Sequence, residues 1–111
     1  MHREARVLEQ RKAPRKILKV KAVVAIEGLA PMLARTSDIS ANGISITLPR
    51  PLQTGLAGQV SFDLLVEGKP YPIHARAKVM YCLLSNGEFK AGFQFMNLDL
   101  NAMTQISRFM R

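Results

Sequence analysis

The chain has 111 residues, of which 48% are hydrophobic, a single cysteine and a formal charge of +8. That is the size of one domain with a modest core, and the hydrophobic share excludes a disordered chain. One cysteine, Cys82, excludes an internal disulfide framework, and no apolar run approaches the roughly 18 residues of a membrane-spanning helix. Cysteine usage points to the cytoplasm, and the basic N-terminus lacks the apolar segment of a secretory signal. With no Trp and five Phe, the core must rest mainly on Val, Ile, Leu and Met.

The charge is unevenly placed. Residues 1–21 carry a net +6 and the other 90 residues only +2. Such a basic segment is either a solvated tail or the docking element for an anionic partner: nucleic acid, anionic lipid, an acidic protein or a small phosphate ligand.

Residues 1–16 show no sustained apolar period, and Pro14 ends any helix begun before it. They read as a flexible basic arm ahead of a domain spanning 17–111. From Ile17 to Glu27 the pattern has period two, with Leu18 and Val20 opposite Lys19 and Lys21, which predicts a strand. Gly28 to Pro31 turns the chain, and Met32 to Ile39 is a second strand. Asn42-Gly43 signals a turn. Ile44, Ile46 and Leu48 alternate with Ser45 and Thr47 in a third strand, which Pro49 and Pro51 stop. Val60, Phe62, Leu64 and Val66 mark a fourth. Ile73, Ala75, Ala77, Val79 and Tyr81, alternating with His74, Arg76, Lys78 and Met80, mark a fifth. Phe89, Ala91, Phe93 and Phe95 mark the last. Hairpin turns are expected at Glu67-Gly68-Lys69-Pro70 and Ser85-Asn86-Gly87-Glu88. Six strands with short loops predict an all-β fold, a small antiparallel barrel. The period then lengthens: Leu100, Met103, Ile106 and Met110, with Phe109 beside them and Asp99 at the N-cap, predict a short C-terminal helix with one apolar face.

Two segments carry chemistry. In Asp38-Ile39-Ser40-Ala41-Asn42-Gly43, residues two apart share a strand face, so Asp38 and Ser40 are neighbours. A carboxylate accepts two hydrogen bonds at once, and a guanine edge offers two adjacent donors. Gly43 offers positive φ and close backbone approach. In Arg11-Lys12-Ala13-Pro14-Arg15, two guanidinium forks match phosphate oxygens or the O6/N7 edge of guanine and lie up to about 13 Å apart when extended. An acceptor pair on a barrel and a donor arm beside it suit a ligand with guanines and phosphates. Taken singly, each segment also fits plain turn chemistry or a solvated charge run.

Arg11 and Arg15 followed by Asp38-x-Ser40-x-x-Gly43 resembles the two-part signature of PilZ domains. The stretch from Ala77-Lys78-Val79 through Gly92-Phe93-Gln94-Phe95 to the apolar helix is similar to the C-terminal half of that family. The resemblance covers nearly the whole chain and implies a six-stranded barrel that binds cyclic di-GMP. It assigns ligand contacts to Arg11, Arg15, Asp38, Ser40 and Gly43. Lys12, Asn42 and Tyr81 are secondary candidates, and Arg76 and Lys78 share a strand face that is either solvated or a second phosphate contact. The family often has a denser arginine cluster where this chain has Gln10, Lys12 and Pro14, so one or two ligand molecules both fit. Tyr81 is either the aromatic ring found near the ligand in many members or a core residue. The function expected is a receptor that couples the nucleotide to a protein partner, without catalysis, cofactor or metal. The two histidines and one cysteine have no metal-ligand spacing, and neither a phosphate loop nor a nucleophile elbow is present. The rivals are a basic barrel that binds nucleic acid and a PilZ-like adaptor that no longer binds nucleotide.

Overall fold

In a computed structural model that describes residues 14–111, the period-two segments form seven strands. They are β1 (Lys16–Ile17), β2 (Lys21–Ile26), β3 (Met32–Ile39), β4 (Gly43–Leu48), β5 (Ala57–Val66), β6 (Lys69–Ser85) and β7 (Glu88–Met96), followed by helix α1 (Leu100–Met110). All pairings are antiparallel. Six strands run in the order β3-β2-β5-β6-β7-β4, and β4 pairs back onto β3, closing the expected six-stranded barrel. The alternating apolar residues point inward: Val24, Ile39, Ile46, Val60, Leu64 and Val79 are all fully buried. Among the described residues, closure covers most strand edges but not the start of β6.

Among the described residues β1 lies outside the closed ring and pairs with the end of β3, Lys16 with Ile39 and Ile17 with Asp38. The sequence predicts one strand over Ile17–Glu27, and the structure breaks it. The cause sits on the partner strand. β3 has a register shift between Thr36 and Asp38, and its pairing on the other side stops at Arg35 with β2 and resumes at Asp38 with β1, one residue out of register. There the Thr36 hydroxyl, buried in the wall, accepts from Val20 N at 2.9 Å and donates to the Leu18 carbonyl. Thr36 thus satisfies backbone groups that the interrupted ladder leaves open.

Both expected hairpins close on two-residue turns. Glu67 and Gly68 have φ of 53° and 80°, Asn86 and Gly87 of 53° and 79°, the paired positive φ of a type I′ turn. β6 is longer than its expected core because it pairs with β5 from Lys69 onward, while β7 joins only from Arg76. Its first residues are therefore a sheet edge, which accommodates Pro70 and Pro72.

Asp99 caps α1 as expected, its carboxylate accepting from Ala102 N at 2.7 Å. The helix packs on β5. Its buried face is the expected one only in part: Ile106 is buried and Phe109 and Met110 pack on the core, but Ala102 and Gln105 are buried where Leu100 and Met103 are exposed. Residues 102, 106 and 109 are four and three apart where 103, 106 and 110 are three and four apart, so both sets lie on one helix face, and the small Ala102 admits the closer approach. At the far end Lys16 donates to the Phe109 carbonyl at 2.9 Å and lies 4.8 Å from the centre of its ring, tying β1 to the helix C-terminus. No helix among the described residues is long and apolar enough to cross a membrane.

Candidate functional site

On the outer face of the barrel one row of residues crosses four strands. Asp38 on β3 pairs with Ser45 on β4, Ser45 with Gly92 on β7, and Gly92 with Tyr81 on β6. Ile39, Ile44 and Ile46, the neighbours of Asp38 and Ser45 along their strands, are buried in the core, which turns the polar side chains outward.

Arg15, immediately ahead of β1, lies across this row. Its Nε donates to Asp38 Oδ1 at 2.7 Å, Nη1 reaches Ser40 Oγ at 3.4 Å and Nη2 reaches Ser45 Oγ at 3.3 Å. Nη2 is also 2.7 Å from Asp38 Oδ1. One guanidinium therefore spans the acceptors of two strands. Its planar N–H edge stands where the donor edge of a planar base could meet the same carboxylate.

Ser40 works locally. Its hydroxyl oxygen accepts from Asn42 N at 3.3 Å and Gly43 N at 3.2 Å, and the hydroxyl donates to the Gly43 carbonyl at 3.3 Å. It organises the turn that joins β3 to β4. The carbonyl of Asn42 accepts from Phe95 N and extends the ladder with β7. Gly43 has no positive φ, contrary to the expectation, and its requirement is steric. A Cβ there would stand 2.2 Å from the Phe93 carbonyl oxygen.

Tyr81 leaves the pattern that the sequence shows. The register between β6 and β7 shifts between Val79 and Tyr81, so Val79 stays inside and Tyr81 turns out, 41% exposed. Its ring lies against Gly92, where a Cβ would stand 2.2 Å from Cε2, and its hydroxyl is 3.5 Å from Ser45 Oγ. Glycine at 92 is what lets the ring lie flat on the strand beside the row.

Of the secondary candidates, Lys78 is paired with Gln94, the partner of Gly43, and borders the row. Lys90, which the sequence does not single out, is paired with Thr47 and Leu83 and borders it on the other side. Arg76 is one residue pair beyond Lys78 on the same face and is engaged by Glu27 at 2.8 Å. Arg11 and Lys12 lie outside the described residues. Ser45 and Gly92 are the residues that sequence reading passes over. Their alternation marks them as outward-facing, but only the register of β3, β4 and β7 places them beside Asp38. Among the described residues, no three or more His, Cys, Asp or Glu side chains are grouped to hold a metal ion.

Solved structures share this architecture at low identity. The Bacillus subtilis inhibitor of motility, MotI/DgrA, superposes with a TM-score of 0.77 at 17% identity, over 86% of this chain and 47% of its own. The PilZ domain of YcgR from Escherichia coli, solved with c-di-GMP, gives 0.71 at 16%, over 91% of this chain and 88% of that domain. PlzA of Borreliella burgdorferi, in complex with c-di-GMP, gives 0.60 at 17%, over 99% and 46%. The chain thus spans about half the length of MotI and of PlzA. No curated protein matches the sequence. The PilZ domain model matches residues 9–111, and with nearly the whole chain covered, the protein belongs to the PilZ domain family.

Proposed function

We propose that this protein is a receptor for cyclic di-GMP that passes its occupancy to a protein partner in the cytoplasm, and that it performs no catalysis. The observation that carries the reading is the single guanidinium of Arg15 on Asp38, Ser40 and Ser45. It joins the upstream arginine and the Asp-x-Ser segment on one surface. The c-di-GMP complexes of YcgR and PlzA, which share the fold, add support.

In this reading a guanine takes the place that the Arg15 guanidinium holds against Asp38. Its N1–H and 2-amino group donate to the Asp38 carboxylate as the guanidinium does. The Arg15 side chain is 41% exposed and that of Asp38 26%. An ion pair so accessible contributes only about 1 kcal/mol or less, so displacing it costs little. The released guanidinium then serves a phosphate or the O6/N7 edge of the second base, with Arg11 and Lys12 adding further cations. The open face of Tyr81 supplies a stacking surface, and Gly43 keeps the turn close to β7.

The test is calorimetric titration with cyclic di-GMP beside GMP and cyclic di-AMP. Arg15→Ala and Asp38→Ala each lower cyclic di-GMP affinity at least about tenfold, the loss of one charge-assisted contact. Unchanged affinity in both variants rejects the site. The phenylalanines argue against a nucleic-acid platform. Phe62 and Phe93 are buried, and Phe89, Phe95 and Phe109 pack on the core, so they present no open row of rings for successive bases.

A further inference from the structure

Two serine hydroxyls flank Asp38, and they are not equivalent. Ser40 is committed to its own turn, with two backbone N–H donors and a backbone acceptor within 3.3 Å. Ser45 has no backbone partner among the described residues; its hydroxyl meets only Arg15 Nη2 at 3.3 Å and Tyr81 Oη at 3.5 Å. It stands on the outer face between Ile44 and Ile46 and is nonetheless buried, with Arg15 and Tyr81 against it. When the guanidinium leaves, Ser45 is the hydroxyl beside Asp38 that no backbone group holds, with the Tyr81 hydroxyl 3.5 Å away.

A carboxylate can only accept hydrogen bonds. A guanine edge presents two donors followed by one acceptor, the O6 carbonyl, whereas adenine carries an amino group at that position. Reading guanine fully therefore needs a donor next to the carboxylate. The same guanidinium nitrogen touches both Asp38 Oδ1 and Ser45 Oγ, so the two groups lie within the span of one base edge. We infer that Ser45 donates its hydroxyl proton to the O6 carbonyl of the guanine held by Asp38, and so sets selectivity for guanine. In this assignment Tyr81 takes the donor role in its 3.5 Å contact with Ser45 Oγ, which either hydroxyl could fill, and the serine proton is left for the ligand. This inference rests on the cyclic di-GMP reading above and adds the residue that completes base recognition. A site built to donate at this position rejects a base that brings a second donor, because one polar group is left unpaired.

The experiment is a two-by-two titration: wild type and Ser45→Ala, each with cyclic di-GMP and with its 6-thio analogue. The analogue keeps N1–H and the 2-amino group but replaces O6 by sulfur, a weaker acceptor. Wild type is expected to bind the analogue about three- to tenfold more weakly, the worth of one neutral hydrogen bond. Ser45→Ala is expected to lose the same factor on cyclic di-GMP and to distinguish the two ligands no further, the non-additivity that marks a direct contact. Wild-type affinity of Ser45→Ala for cyclic di-GMP, or equal losses on both ligands, overturns the assignment of Ser45 and leaves the receptor reading standing. Failure of the wild type to bind cyclic di-GMP overturns both.

Discussion

Two glycines border the candidate site for opposite reasons. At Gly43 the space for a Cβ is taken by the Phe93 carbonyl, a fixed part of the β4–β7 ladder. At Gly92 it is taken by the ring of Tyr81, an exposed side chain rather than backbone. Gly43→Ala must push two paired strands apart, an overpacking cost of about 1–3 kcal/mol. In a domain of this size that lowers the melting temperature by several degrees. Gly92→Ala keeps a melting temperature near that of the wild type but moves the ring off the row, so cyclic di-GMP affinity falls while the fold stands. Thermal denaturation and calorimetry on both variants decide the matter. Equal losses of stability at the two positions would show that Tyr81 is locked in place and is part of the wall.

The elements of the barrel are legible from alternation because each strand buries one face, and the hairpins from Gly68 and Gly87, which accept positive φ. What alternation misses is non-local. Leu18 to Val20 keep a strand pattern, yet the ladder stops there because the irregularity belongs to β3. Tyr81 continues the inward series of Ile73, Ala75, Ala77 and Val79, yet the shift against β7 turns it out. The site divides along the same line. Arg15 and Asp38 carry a motif, whereas Ser45 becomes a neighbour only through the register of three strands. Thr36 tests how much the break matters. Thr36→Val keeps the shape and removes the hydroxyl, leaving Val20 N without its acceptor and Leu18 O without that donor. A buried unsatisfied group costs about 1–3 kcal/mol. The denaturation midpoint in urea should fall with an unchanged slope, and Thr36→Ser should recover most of the loss. A silent Thr36→Val would mean that water already serves those groups.

At the scale of the whole molecule the governing feature is charge, +6 within residues 1–21 of a chain whose total is +8. Such a segment attracts any polyanion, so its mere affinity for a phosphate ligand says little about which one it serves. The salt dependence discriminates. A protein that neutralises six or more nucleic-acid phosphates releases their condensed counterions and loses about 10³-fold or more in affinity between roughly 50 and 200 mM salt. Cyclic di-GMP carries two phosphates and no condensed ion atmosphere. Its binding should weaken with salt only through screening of the arginine contacts, by about tenfold or less over the same range. Arg15→Ala should flatten that dependence further, because one screened contact is gone. The measurement is a set of titrations at three salt concentrations, run in parallel with a single-stranded and a duplex oligonucleotide. If an oligonucleotide binds more tightly than cyclic di-GMP at about 150 mM salt, the basic segment serves nucleic acid and the proposed receptor function is wrong. A shallow slope confined to the dinucleotide, and reduced by Arg15→Ala, places the electrostatic contribution at the Arg15–Asp38 surface.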